Sequence, residues 1–279
     1  MTFTTAVLAA AACLCGVAPE RENDFFWEND KVGFRAYGPG NYHVWSGIDL
    51  FNKMPDAEAT CGEVLHNHDN CGNWHTVPYK GILDNYTIGA SRGVGGVALF
   101  GDGEWKTYPT WEKCEVIESG EFRCVFKLVY PSFSALGKMT CRITLVKGSR
   151  FFRNEVSFEF PDRLREFRLG PGLDVEAKRD HKGDLWEDAA LGIVSLFEEP
   201  KSEDEGSTMT AIILDPTDAG GVRLMTDRMN CRVLALHRPT FAYYAGGAWS
   251  KAGEITTPGQ WREEVRRFRD SLAVPTCRQ

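Results

Sequence analysis

The sequence predicts a mainly β protein, an antiparallel β-sandwich closed by one amphipathic C-terminal helix. Two segments in the middle of the chain alternate apolar and polar residues, and the segment after Thr257 repeats apolar residues at helical spacing. A period of two is typical of a strand with one buried face, and a period near 3.6 is typical of an amphipathic helix. Many short strands separated by Gly, Pro and Asp favour a sandwich over other β folds.

The clearest strands are predicted to form one hairpin. Lys138–Val146 and Phe152–Phe160 each carry apolar residues at every second position, and Asn154 falls on the apolar side of the second segment. Gly148 and Ser149 between them are a turn signal. We therefore expect the two segments to pair antiparallel.

A second hairpin is predicted over Glu112–Val129, folding around Glu118-Ser119-Gly120. Counting outward from that turn places Cys114 opposite Cys124, close enough for a disulfide to be tested. The remaining strands are predicted at Val32–Tyr37, Val97–Phe100, Leu191–Leu196, Met209–Leu214 and Cys231–Leu236.

The C-terminal helix has a complete start signal. Thr257 is a favoured N-cap, Pro258 suits the first helical position, and Gln260 completes a capping box. The apolar stripe that follows consists of Trp261, Val265, Phe268 and Leu272. Pro275 prevents further helix, so we expect helix over Thr257–Ala273 and only short turns elsewhere.

Composition limits the function classes. The chain has 279 residues, 43% of them hydrophobic, and a net charge of −7. That charge excludes the basic surface of a nucleic-acid-binding protein, and no segment is long and apolar enough to span a membrane. Residues 1–18 are apolar and are either an export signal or a truncated N-terminus. We expect a single domain over residues 19–279 and an exported, periplasmic or extracellular, protein.

The densest polar cluster runs from Cys61 to His75. Three alternatives are open for it. His66, His68 and His75 could bind a divalent metal, zinc or calcium. Cys61 and Cys71 could close a disulfide loop. Alternatively, the segment is a ligand-facing loop in which the histidines donate hydrogen bonds or move protons.

A second set of residues is typical of sugar sites, where aromatic faces stack on pyranose rings and amides or carboxylates bond hydroxyls. The set comprises Trp27, Glu28, Asn29, Tyr37, Asp49, Arg92 and Trp249. Arg92 lies among glycines and could pair with a carboxylate. The competing interpretation is that Trp27, Tyr37 and Trp249 are core residues.

The order of these motifs resembles a bacterial family known as domain of unknown function 4861. The resemblance is carried by Pro19-Glu20-Arg21, Trp27-Glu28-Asn29-Asp30, Phe34-Arg35-Ala36-Tyr37-Gly38-Pro39, Ser46-Gly47-Ile48-Asp49, His68-Asp69, Leu83-Asp84-x-Tyr86, Phe241-x-Tyr243 and Gly247-Ala248-Trp249-Ser250-Lys251. It implies a galactose-mutarotase-like sandwich in a carbohydrate-degrading setting, and it implies no particular reaction.

We expect a carbohydrate ligand, and most of all a uronic-acid glycan cleaved by β-elimination. Such a reaction needs a base and a cation. His68 or Tyr86 is predicted as the base, with Asp69 nearby, and Arg35, Arg92 or a metal as the neutralising charge. The alternatives are a sugar mutarotase or epimerase and a non-catalytic carbohydrate-binding module. In each case the Cys61–His75 and Trp27–Asp49 segments are expected to meet in one pocket.

Overall fold

The computed structural model describes residues 12–41, 47–106, 109–131, 137–160, 166–175, 183–200, 202 and 204–273. Within these ranges the chain forms eighteen strands and two α-helices. The strands are β1 Leu14–Ala18, β2 Asp24–Glu28, β3 Gly33–Ala36, β4 Ile48–Lys53, β5 Ile82–Leu83, β6 Val94–Gly101, β7 Glu104–Lys106, β8 Lys113–Ser119, β9 Arg123–Tyr130, β10 Lys138–Val146, β11 Phe151–Glu159, β12 Phe167–Leu173, β13 Gly183–Asp188, β14 Ile193–Glu198, β15 Thr208–Leu214, β16 Arg223–Thr226, β17 Arg232–Ala235 and β18 Thr240–Trp249. The helices are α1 Cys61–His66 and α2 Pro258–Leu272.

The strands form three antiparallel sheets. One has eight strands in the order β13-β14-β15-β18-β11-β10-β9-β8, and two have five, β1-β2-β3-β4-β5 and β16-β17-β12-β6-β7. A parallel bridge between Ile48 and Gly93 joins the two smaller sheets. Gly93 has φ +56°, and a Cβ there would lie 2.0 Å from the Ile48 carbonyl oxygen, so this junction requires glycine. The predicted sandwich is confirmed, but its second layer is divided into two sheets.

The main core lies between the eight-stranded sheet and the two smaller sheets. Strand alternation sends Trp27 and Phe34 to this side of the first five-stranded sheet, where their rings stack at 5.5 Å. Phe126 and Phe152 reach them from the eight-stranded sheet, with centroid distances from Trp27 of 5.2 and 5.4 Å. Aromatic pairs of this kind add stabilisation beyond their buried area.

The predicted β10–β11 hairpin is confirmed, with Cys141 opposite Val156 and the turn at Gly148. Asn154 is buried on the apolar face, as its position indicated, and it donates a hydrogen bond to the Tyr243 hydroxyl at 2.8 Å.

The expected contact between Cys114 and Cys124 is wrong. Cys114 is opposite Leu128, and Cys124 is opposite Ser119, because the turn lies after Ser119 and the register shifts between Val116 and Glu118. Four residues of strand, about 13 Å, therefore separate the two cysteines along the hairpin, too far for a disulfide.

Helix α2 confirms the C-terminal prediction. Thr257 and Gln260 form both hydrogen bonds of the capping box, and Trp261 and Val265 are buried against the outer face of the eight-stranded sheet. Trp261 stacks on Phe151 at 5.7 Å. Among the described residues, no helix has the length and apolar character needed to cross a membrane.

Strands β1, β2, β4, β5, β7, β12, β13, β16 and β18 and helix α1 were not predicted, and two of these elements, β1 and α1, lie in segments for which the sequence suggested something else. Leu14–Ala18 lies in the segment expected to be a leader or a truncated end, and it pairs antiparallel with β2. Helix α1 begins after Thr60, whose side chain accepts a hydrogen bond from the Glu63 amide, inside a segment that we expected to be a loop. The domain boundary at residue 18 stays a prediction.

Candidate functional site

The candidate site lies on the outer face of the first five-stranded sheet. The cross-strand row Phe26–Arg35–Asp49 points away from the main core, since Trp27 and Phe34, the next residues along their strands, point into it. Strand alternation thus places a basic and an acidic residue directly opposite each other on one sheet face.

Arg35 is the centre of a buried charge cluster. Its guanidinium lies 2.5 Å from Asp49, 3.0 Å from Asp84 and 3.5 Å from Asp24. Arg35 also donates to the Tyr37 hydroxyl at 3.0 Å, and that hydroxyl donates to Asp49 at 2.7 Å. Arg35, Asp24, Asp49 and Asp84 are each almost fully buried, so the three carboxylates share Arg35 as the one buried cation that contacts all of them.

Burial dominates the protonation of this cluster. Desolvation raises the pKa of Asp24 to about 6, although Arg35 lowers it. Desolvation and the Asp84 charge raise the pKa of Asp49 to about 6. Burial also raises the pKa of Tyr37, which therefore stays a neutral hydrogen-bond donor. Burial opposes the charge on Arg35, but Asp84 and its other partners raise its pKa, so it stays a cation.

A cavity of about 360 Å³ opens above this cluster. It is lined by Arg21, Arg35, Tyr37, Asp49, His75, Thr76, Asp84, Asn85, Tyr86, Thr87 and Glu205. The volume falls in the range of about 300–1,000 Å³ that is usual for small-molecule sites. Carboxylates, hydroxyls, an amide and aromatic rings thus surround one opening.

His75 is held at the cavity by Asp84. Its Nδ1 lies 3.2 Å from the Asp84 carboxylate and 3.0 Å from the Asp84 carbonyl oxygen. Its ring stacks on Trp74 at 4.2 Å, and its side chain is 48% exposed. Hydrogen bonding to Asp84 raises the pKa of His75 despite partial burial. With Nδ1 donating to two oxygens, Nε2 is the nitrogen left to meet a ligand.

Two more polar groups belong to residues that line the cavity. The Tyr86 hydroxyl and the Arg21 Nε are buried and have no hydrogen-bond partner in the described part of the chain. Burial raises the pKa of Tyr86 well above its ordinary value, which makes it a neutral donor rather than a base. Buried polar atoms are normally paired, so each of these is a candidate ligand contact.

The two segments that we expected to converge do so through His75, which shares the cavity with Arg35, Tyr37 and Asp49. His68 and Asp69 do not line it. His68 lies on a short 3₁₀ turn, with Nδ1 3.1 Å from the Leu65 carbonyl oxygen and Nε2 3.3 Å from Asp69.

The metal and disulfide interpretations of this segment find no support in the described residues, where no three His, Cys, Asp or Glu side chains gather as a metal site. His66 instead pairs with Glu20 at 2.7 Å, so the three predicted ligands have three different partners. Cys61 and Cys71 are both buried free thiols.

Several predicted sugar contacts have structural roles instead. Trp27 has no exposed surface and lies in the main core. Glu28 is buried and pairs with Lys53 at 2.7 Å. The Asn29 amide donates to the carbonyl oxygens of Val146 and Ser149, both at 2.7 Å.

Arg92 and Trp249 are also buried outside the cavity lining. Arg92 lies 3.0 Å from Asp227, so its charge is compensated by that carboxylate. Trp249 donates its indole N–H to the carbonyl oxygen of Glu205 at 2.8 Å and thereby supports a residue that lines the cavity.

The sequence-based interpretation overlooked Asp84, Asp24 and Arg21 as site residues, although all three fall within the motifs that carry the family resemblance or beside them. Asp84 follows β5 directly, and β5 pairs with β4, which carries Asp49. An acidic residue two positions before Tyr86 was the available signal.

The family comparison agrees with the motifs. A family model described as Domain of unknown function (DUF4861) matches residues 5–277. The uncharacterized protein P7 of Formosa agariphila is 28% identical, over 94% of this chain and 68% of its own length.

Solved structures with a similar arrangement include the galactosidase domain of an alpha-galactosidase-sucrose kinase, with a TM-score of 0.45 at 8% identity. A GH36 alpha-galactosidase from Geobacillus stearothermophilus gives a TM-score of 0.44 at 9% identity. Each match covers 84% of this chain, which spans 42% and 41% of the two solved chains. Likeness at this level carries no argument about activity.

Proposed function

We propose, from the premise that the chain belongs to the family of domain of unknown function 4861, that its cavity binds a sugar and that His75 moves a proton to or from it. The observation that carries the proposal is the His75–Asp84 pair at the edge of a polar cavity. Export of the protein is part of the same proposal, with strand β1 retained in the exported chain because it pairs with β2.

The residues around the opening suit a carbohydrate. Thr76, Asn85 and Glu205 offer hydroxyl, amide and carboxylate groups, and Tyr37 and Tyr86 add ring surface. Sugars present hydroxyls and C–H faces together, so a wall that mixes these groups can bind both. Arg35 is already compensated by three carboxylates, and its role in the proposal is to hold Asp49 and Tyr37 in place.

His75 has the arrangement of a general base. A carboxylate that accepts from Nδ1 fixes the tautomer with the lone pair on Nε2 and favours the imidazolium once the proton is taken. His75 therefore takes the part that the sequence suggested for His68, which lies outside the cavity.

Arg21 favours an acidic sugar and an elimination. Its guanidinium lines the same cavity, and its Nε is buried without a partner among the described residues. In such a step, His75 takes the proton α to the sugar carboxylate, and Arg21 pairs with that carboxylate as negative charge develops. A double bond then forms between the α and β carbons as the bond from the β carbon to the glycosidic oxygen breaks, and the departing oxygen takes a proton from water.

A second candidate, mutarotation or epimerisation, is favoured by Asp49. Its pKa of about 6 keeps a fraction of this carboxyl protonated near neutral pH, so that it can act as the acid opposite the base His75. Asp49 is nearly fully buried, so its proton would pass through the Tyr37 hydroxyl to which it is bonded.

The test is a panel of neutral sugars and uronic-acid glycans, read by ultraviolet absorbance for unsaturated ends and by proton NMR for anomeric exchange. Replacing His75→Gln is expected to lower turnover by about 10²–10⁴-fold, with ligand affinity changed much less. Arg21→Gln is expected to weaken the binding of substrates that carry a carboxylate and to leave the binding of neutral sugars unchanged.

His66→Gln is the matched control, because it removes a histidine paired with a carboxylate outside the cavity. Binding of sugars across the panel without any turnover would contradict an enzymatic function and indicate a carbohydrate-binding module. Full turnover in His75→Gln would remove His75 from the mechanism, and a loss confined to His68→Ala would return the role to His68.

A further inference from the structure

Three cysteines meet at the edge of the main core, far along the chain from one another. Cys13 and Cys15 share the side of β1 that faces the core, since Cys15 is paired with the core residue Trp27. Cys124 lies on the core face of β9, in the opposite layer.

Hydrogen bonds bring Cys15 up to the β8–β9 hairpin. Its backbone N–H lies 3.3 Å from the Ser119 hydroxyl, and its thiol lies 3.7 Å from the Glu118 carbonyl oxygen. Cys13 and Gly120 exchange two backbone hydrogen bonds beside it, at 2.8 and 3.0 Å. Ser119 is directly opposite Cys124, and such pairs have Cβ atoms about 4.5–5.5 Å apart. Cys15 and Cys124 are therefore neighbours across the two layers.

We propose that Cys15 and Cys124 form a disulfide that ties β1 to β9 when the chain meets a small-molecule disulfide such as oxidised glutathione. The Cys15 thiolate attacks one glutathione sulfur, a mixed disulfide forms, and the first glutathione leaves as a thiol. The Cys124 thiol then gives up its proton and attacks the Cys15 sulfur, and the second glutathione leaves. Two protein thiols are oxidised and one glutathione disulfide is reduced to two thiols.

The order of attack follows from exposure. Cys15 is partly exposed, whereas Cys13 and Cys124 have no exposed surface. A hydrogen bond with Cys124 lowers the pKa of Cys15, while burial raises the pKa of Cys13 to about 11. Cys15 is thus the thiol that an external disulfide reaches first, and Cys124 is the resolving thiol.

The bond would steady one wall of the cavity. The turn from β1 into β2 carries Arg21, and β2 begins at Asp24, the third carboxylate around Arg35. Fixing β1 against β9 fixes the strand that leads into both residues. The disulfide is independent of the proposed reaction and does not require it.

The test uses the full chain incubated with oxidised glutathione, alkylated, digested without reductant and analysed by mass spectrometry. A cross-linked pair of peptides containing residues 15 and 124 is expected, and it should be absent from Cys15→Ser and from Cys124→Ser. Closing a loop of about 110 residues should raise the melting temperature by about 10 °C over the reduced protein.

Cys114→Ser is the matched control, because Cys114 is exposed and lies in β8 opposite Leu128. It should keep both the cross-link and the difference in melting temperature. A cross-link of Cys124 to Cys13, glutathione left on Cys15 with Cys124 still free, or a mature chain that has lost Cys15 would each overturn the proposal.

Discussion

Removing the cation from the buried charge cluster should destabilise the protein in a strongly pH-dependent way. Arg35→Met keeps most of the side-chain volume but removes the guanidinium from Asp24, Asp49 and Asp84, of which Asp84 keeps another cationic partner, His75. At the observed separation of 3.0 Å between Arg35 and Asp84, one such pair is worth about 5 kcal/mol at an effective dielectric constant of 20. The cost of desolvating the charges offsets much of this, and breaking a buried pair costs about 3–5 kcal/mol.

The pH dependence has a definite sign. Without Arg35 the pKa values of Asp24 and Asp49 rise further above 3.8 in the folded state, so the folded protein holds more protons than the unfolded chain. The free energy of unfolding then falls as pH rises. We expect the full loss of about 3–5 kcal/mol near pH 8 and a clearly smaller loss near pH 5, where Asp24 and Asp49 are largely protonated.

Urea denaturation of both proteins at the two pH values measures this difference. Arg142→Met is the control, since Arg142 pairs with Glu155 and both side chains are about 40% exposed. That variant should lose less than about 1 kcal/mol at either pH. An equal loss for Arg35→Met at both pH values would refute the assignment of the cluster as three carboxylates sharing one cation.

Three further predictions concern stability. Desolvation raises the folded-state pKa of Asp24 and of Asp49 from 3.8 to about 6, so their contribution lowers the free energy of unfolding as pH rises from about 4 to about 7. Asp24→Asn should therefore reduce the pH dependence of the free energy of unfolding, measured by urea denaturation over that range. An unchanged pH dependence would contradict this. Asn29→Ala should cost about 3 kcal/mol by urea denaturation, because it orphans two carbonyl oxygens and two N–H groups. Thr257→Ala should cost about 1 kcal/mol in the same assay and Thr257→Ser much less, with equal losses arguing against the cap.

Periodicity predicted the parts of the fold in which buried and exposed side chains alternate regularly along the element. The β10–β11 hairpin and helix α2 follow from apolar spacing and from capping chemistry, both of which are local. The number of sheets was not predictable in this way. The two sheets of the second layer meet at one bridge, between Ile48 and Gly93, and pairing between segments so far apart in sequence leaves no local signal.

Register limited the site prediction. Alternation in β3 separates Phe34, which faces the core, from Arg35, which faces the cavity, and the sequence alone does not say which side of a sheet is covered. The sequence favoured His68 as the proton carrier. It did not show that His75, paired with Asp84, lines the cavity, whereas His68, paired with Asp69, lies outside it. The count from the Glu118 turn failed because the turn lies after Ser119, and a bulge between Val116 and Glu118 then shifts the register by one residue.

Backbone amides at the junction between the two smaller sheets can report whether a ligand occupies the cavity. The carbonyl oxygen of Arg92 accepts from the Ile48 amide at 3.2 Å and from the Gly96 amide at 2.9 Å, and Ile48 precedes Asp49 in the floor of the cavity. Because Ile48 is joined to Asp49 and donates to the Arg92 carbonyl oxygen, we expect a ligand that restrains Asp49 to restrain this shared acceptor too. Amide deuterium exchange at Ile48 and Gly96 should therefore slow together when a ligand fills the cavity. These two backbone amides would then measure ligand binding without a label in the site.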